Sequence, residues 1–179
     1  FTTDELIGLG ISRNNKLYFS FGISAEEGEY VSSIAKPLIE DIVAKADEAV
    51  KPESGRAADL RFGHDVGLLP LIGTIGIAGM EERWKSLDVH RHWFDFEMMP
   101  MASNRQMIFF RNRKGDVLVK LVYNDKETYI PAVQTYNGVF HKWNDLREYL
   151  VKTAAAISDE HIVKDNDGNS SETASVTFT

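Results

Sequence analysis

Residues 57–80 read AADLRFGHDVGLLPLIGTIGIAGM, and the way this run divides sets the expected fold. Its first seven residues place Leu60 and Phe62 in alternation ahead of Gly63, the pattern of a short strand leaving a sheet. Residues 66–80 carry no charge. Pro70 stands near the start of that run, where a helix tolerates proline because its first amides have no partner inside the helix. Strand, turn and helix are therefore expected in that order, with His64-Asp65 in the turn. At the carboxyl end of a strand in an open α/β sheet, side chains project into the crevice where ligands bind. A following helix aims its free N–H groups and positive dipole end at the same place, so the pattern suits an anion. The structural alternative is a turn in which Asp65 caps the helix, and the two roles are compatible.

Working outward, residues 29–50 space Ile34, Leu38, Ile42 and Val43 as an amphipathic helix with Pro37 inside it,. A polar loop follows at 51–56. Residues 80–89 read as a charge-rich short helix or excursion. Residues 106–111 and 116–123 flank Asn112-Arg113-Lys114-Gly115, a hairpin signature,. A third strand is expected at 127–132, and a helix at 143–157 with Asn144 or its predecessors as cap. The polar residues 164–179 read as a tail, or as a final strand at 174–178. The expected organisation is α/β, a sheet flanked by helices with a β-hairpin in the second half, over residues 1–158, followed by the tail or terminal strand at 159–179.

A chain of 179 residues that is 43% hydrophobic is long enough to bury a core,. Its net charge of −7 argues against nucleic acid, which is bound through clustered lysine and arginine,. An anionic small molecule remains compatible with that charge, because a local arginine pocket can coexist with an acidic surface. There is no cysteine, hence no disulfide, thiol nucleophile or cysteine-held metal,. The apolar run 66–80 is too short to span a bilayer, so no membrane span is expected.

In FGHDVGLLPLIG (62–73) the sequence resembles the histidine phosphatase superfamily, in the acid phosphatase and phytase branch that includes the multiple inositol polyphosphate phosphatases. There too a His-Asp pair follows a sheet strand and precedes an apolar helix. Further landmarks appear in order. FTTDEL (1–6) with Asn15, Tyr18 and Gly22 is similar to the helical lead-in to the second half of such enzymes. SIAKPLIEDIVAKAD (33–47) is similar to the helix before the His-Asp strand. PMASN (100–104) with QMIFF (106–110) resembles a later core strand.

The resemblance implies a histidine-phosphatase-type sheet and a phosphomonoester hydrolase. In that family a histidine within Arg-His-Gly attacks phosphorus, and the phosphohistidine is then hydrolysed. His64 would contact the phosphoryl oxygens and Asp65 would protonate the leaving alcohol, with Arg61 as a further substrate contact. Such a reaction requires a proton donor and preorganised cations. No cofactor enters the scheme and no metal is assigned. An inositol phosphate is one candidate substrate. His-Asp, however, is the form of acid phosphatases and many phytases, whereas the inositol polyphosphate phosphatases often carry His-Ala-Glu. The resemblance points to a periplasmic or secreted compartment, which the residues themselves leave open.

Arg-His-Gly is absent from this chain. The one Arg-His dipeptide, Arg91-His92, is followed by Trp93. These residues are therefore expected to be the C-terminal half of a longer enzyme, carrying the proton donor without the nucleophile, inactive alone and partnered by the N-terminal half. The alternative is a non-catalytic module that binds a phosphorylated ligand or another protein.

Other constellations carry less. His90 and His92 would share a face on a strand and could approach a metal with Asp88, but a third ligand at fixed spacing is lacking. Gly73, Gly76 and Gly79 lack the lysine and hydroxyl of a nucleotide loop and suit close helix packing. Asn104 suits a structural hydrogen bond better than a substrate contact. His141 and His161 are expected at the surface, in or beside helices.

Overall fold

The computed structural model describes residues 1–85 and 87–158. Residues 159–179, with His161 and the strand expected at 174–178, lie outside the described residues. Five α-helices and one antiparallel four-stranded sheet make up the fold: α1 (Thr3–Phe21), α2 (Gly28–Ala49), α3 (Asp65–Ile75), α4 (Asp95–Met98), β1 (Arg105–Arg111), β2 (Val117–Tyr123), β3 (Lys126–Thr128), β4 (Phe140–Lys142) and α5 (Trp143–Ala156). A 3-10 turn at Val89–Arg91 precedes α4.

The hairpin forms as its sequence dictates. The Asn112 side-chain oxygen accepts the amides of Lys114 and Asp116, and Gly115 takes a φ of 92° that a side chain would oppose,. β2 is the spine of the sheet. It pairs on one side with β1 along its whole length, and on the other with β4 and β3 in succession. The third strand is shorter than the expected 127–132, because the chain turns away after Thr128 to bury Ile130 and Val133. Among the described residues β1 lies at the sheet edge, paired only with β2.

The core lies between one face of this sheet and the helices. Val119 and Leu121 of β2 are fully buried, and Phe109 of β1 meets the ring of Trp143 edge-on at 5.3 Å. α5 covers β2 and β4, and α2 lies against both α3 and α5. The buried face of α2 is Val31, Ala35, Ile39, Val43 and Ala46. It is rotated from the stripe expected in the sequence: Ile34 is exposed and Leu38 and Ile42 are half-buried, because the small Ala35 and Ala46 let the neighbouring helices approach.

The expected strand at 57–63 does not join the sheet. The chain there has no regular structure apart from a single bridge at Leu60, and Phe62 is 78% exposed. Among the described residues no strand pairs with it, and neither apolar side chain is buried. α3 is shorter than the expected 66–80. Gly76 adopts a left-handed conformation (φ 64°) and closes the helix by donating its amide to the carbonyls of Ile72 and Gly73,. Of the three glycines expected to pack closely, Gly73 does, since a Cβ there would lie 2.5 Å from Ile23 Cγ1, whereas Gly79 has nothing within 4 Å.

His141 is corrected outright. It lies in β4, fully buried, where its Nε2 accepts the Ile130 amide at 3.1 Å and its Nδ1 lies 3.1 Å from the Gln134 carbonyl. The histidine is a spacer that satisfies the backbone of the 129–136 loop, a role with no local sequence signal. No helix among the described residues is long and apolar enough to cross a membrane.

Candidate functional site

His64 and Asp65 mark the start of α3, but not at the end of a sheet strand. His64 is the residue before the helix, with extended backbone (φ −110°, ψ 165°) and no side-chain bond to the helix amides. Asp65 is the first helical residue, and its Oδ1 accepts the Val66 amide at 2.9 Å. The carboxylate thus engages a free amide at the positive end of α3, from one position further along than a capping residue. Both side chains are exposed.

The two diverge in what they face. Asp65 lines an open cleft of about 440 Å³ whose other walls include Arg13 and Leu17 of α1, Asp95 and Phe96 of α4, and Met99. His64 does not line it. Arg13 Nε lies 3.6 Å from the Asp95 carboxylate, with the arginine largely exposed and the aspartate mostly sheltered. An exposed pair of this length contributes little to stability. Its significance is that a guanidinium and two carboxylates border one concavity.

Asn14 fixes that geometry. It is buried on α1, where its Nδ2 donates to the Trp93 carbonyl at 3.0 Å and its Oδ1 accepts the Asp95 amide at 2.7 Å. The side chain therefore clamps the segment entering α4 against α1. Tyr18, one turn on, packs its ring 5.2 Å from that of Trp93 and accepts the Trp84 amide on its hydroxyl. Burial pushes the Tyr18 phenol above its usual pKa, which keeps it a neutral donor to the Ile23 carbonyl. Asn14 and Arg13 went unmarked in the sequence. The only local hint was a polar Arg13-Asn14-Asn15 run on a helix otherwise rich in apolar residues.

Arg61 is engaged elsewhere. Its guanidinium lies 2.6 Å from Asp41 of α2 and 3.1 Å from Asp59, which ties the 57–63 stretch to α2. Arg56 likewise pairs with Asp59 at 2.8 Å and Glu48 at 3.4 Å. Asn104 has the structural role expected of it: its backbone exchanges hydrogen bonds with Asn124, and its Oδ1 accepts from Gln106.

His90 and His92 are on the 3-10 turn and the residue after it, not on a strand. His92 stacks on Trp84 at 3.9 Å, and His90 Nδ1 is buried without a hydrogen-bond partner among the described residues. Among the described residues no three His, Cys, Asp or Glu side chains come together as a possible metal site. No protein-family model matches the chain, and no curated protein sequence matches it.

Proposed function

We propose that this chain supplies the proton-donor part of a phosphomonoester hydrolase of the histidine acid phosphatase and phytase type. The observation that carries the reading is Asp65, held by a free amide at the start of α3 and facing a cleft large enough for a small phosphate ester. Asp65 protonates the leaving alcohol, and His64, its neighbour, contacts the phosphoryl group. The positive end of α3 favours the anion. Arg61 contributes only by exchanging Asp41 and Asp59 for substrate.

The nucleophilic histidine comes from a segment outside these residues, since they contain no Arg-His-Gly. The histidine-phosphatase-type sheet belongs to the same proposal: the 57–63 stretch and the edge of β1, which pairs only with β2 among the described residues, are where further strands would add. The substrate is a small phosphomonoester, with an inositol phosphate among the candidates, and the compartment periplasmic or secreted.

In the enzyme that carries both halves, Asp65→Asn is expected to lower turnover of alkyl phosphates by about 100-fold to 10,000-fold. Nitrophenyl phosphate, whose leaving group needs no proton, should be affected far less, and equal loss on both substrates refutes the general-acid role. His64→Ala should weaken phosphate or vanadate binding; unchanged affinity removes His64 from the site. The missing nucleophile also favours a second reading, a module that binds a phosphorylated ligand without turning it over. Phosphate binding with no hydrolysis when the upstream segment is supplied would select it.

A further inference from the structure

β1 brings a cation to the core face of the sheet with no carboxylate paired to it among the described residues. Alternation along the strand puts Arg105, Met107 and Phe109 on the face that meets Leu121 and Val119, and the register sets Arg105 directly opposite Tyr123,. Nε and Nη2 of Arg105 are buried and have no hydrogen-bond partner among the described residues. The contrast with Arg13, Arg56, Arg61, Arg91 and Arg147 is sharp, since each of those has a carboxylate beside it.

Among the described residues no acidic side chain offsets the burial of Arg105. Desolvation lowers its pKa to about 10, which leaves it charged at neutral pH. A charged group whose donors are out of water and unbonded is one of the costliest arrangements in a fold, and it persists where a partner of opposite charge completes it.

The two orphaned groups define the shape of that partner. The Nε and Nη2 hydrogens lie on one edge of the guanidinium plane, the edge that meets two oxygens of a carboxylate or phosphoryl group side by side.

Tyr123, across from Arg105, donates its hydroxyl to the Met98 carbonyl, and the same hydroxyl lies 2.9 Å from Met99 Sδ. Met99 also lines the cleft that Asp65 faces. An unbranched thioether moves aside readily, and Arg105 as a whole residue is only half-buried.

We propose that Arg105 is an oxyanion-binding residue, taking two oxygens of a phosphoryl or carboxylate group on its Nε–Nη2 edge at the corner where β1 begins. The site stands independently of any proton-donor role for Asp65. The test is a titration of the chain, labelled at arginine Nε, with inorganic phosphate and separately with acetate, followed by nitrogen-15 NMR. The Arg105 Nε–H resonance should shift saturably. A shift with phosphate alone assigns a phosphoryl ligand, a shift with both assigns oxyanions generally, and a shift with acetate alone assigns a carboxylate. Arg105→Leu should raise the dissociation constant of the active anion at least tenfold, with Arg105→Lys intermediate because the ammonium keeps the charge but loses the two-pronged edge. A resonance that neither anion moves overturns the proposal, as does affinity unchanged in a folded Arg105→Leu. If Arg105→Leu fails to fold, the resonance of the unmodified chain decides alone.

Discussion

Acidification is expected to weaken this fold through one buried side chain, His141. Its Nε2 accepts the Ile130 amide, so the ring proton sits on Nδ1 and faces the Gln134 carbonyl. The imidazole is neutral and both its nitrogens are used. Burial holds its pKa below the usual histidine value, outweighing the Gln134 carbonyl and Asp145, which both favour the charged form. In the unfolded chain the ring takes up a proton near pH 6.5 (about the ordinary value), while the native ring stays neutral. The unfolded state therefore binds more protons below that pH. Stability from this group is complete above about pH 6.5 and falls as the pH drops toward the folded-state pKa.

One proton corresponds to at most about 1.4 kcal/mol per pH unit. The loss by about pH 5 is therefore at most about 2 kcal/mol, to be set against the roughly 5–15 kcal/mol that holds a domain together. Urea denaturation followed by far-ultraviolet circular dichroism, between about pH 8 and pH 5, reads the slope directly. His141→Leu should lower the plateau, since the Ile130 amide and Gln134 carbonyl each lose a partner at about 1–3 kcal/mol apiece. It should also flatten the decline below about pH 6.5. A variant that declines as steeply as the original chain refutes the assignment.

Three further outcomes follow from packing. Asn14→Ala strips partners from the Trp93 carbonyl and the Asp95 amide and should destabilise by about 2–4 kcal/mol in the same urea assay,. Gly73→Ala drives a methyl to 2.5 Å from Ile23 Cγ1. The overpacking cost of about 1–3 kcal/mol should exceed the helix-propensity gain of up to about 1 kcal/mol, so the thermal midpoint falls. Gly76→Ala should cost about 1 kcal/mol, because its φ of 64° is strained for any side chain,; an unchanged midpoint would place the end of α3 elsewhere.

The elements legible in the sequence were those whose signals are local. The hairpin was readable because Asn112 and Gly115 determine their own turn, whatever surrounds them. α2 and α5 were readable from apolar spacing, yet the buried face of α2 was misjudged. Which stripe turns inward is decided by small residues such as Ala35 and Ala46 meeting neighbours far along the chain, not by the bulkiest residues in the window. Residues 57–63 show the limit on the strand side. Alternation of Leu60 and Phe62 expresses a preference for extended backbone, but a strand also needs a partner, and beyond the single bridge at Leu60 no strand among the described residues provides one.

The candidate site divides along the same line. His64 and Asp65 stand at a junction between extended and helical backbone, where consecutive side chains diverge, so a dipeptide cannot show which member faces a cavity. The walls opposite Asp65 come from residues with no spacing relation to it: Arg13 of α1 and Asp95 of α4. Asn14 links these walls, because it holds the α4 entry from the same helix that presents Arg13. This gives a way to separate a working cleft from an incidental one. If Asp65 acts within the cleft of the proposed enzyme, Asn14→Ala should lower its turnover of alkyl phosphates by roughly tenfold or more even where the variant is fully folded, since displacing a positioned group by about 1 Å can cost about 100-fold. The same substitution made with Asp65→Asn already present should add little further loss, because residues acting as a unit are not additive. Full activity in a folded Asn14→Ala, or losses that simply multiply, would detach Asp65 from the cleft and leave the α1–α4 clamp as a device of stability alone.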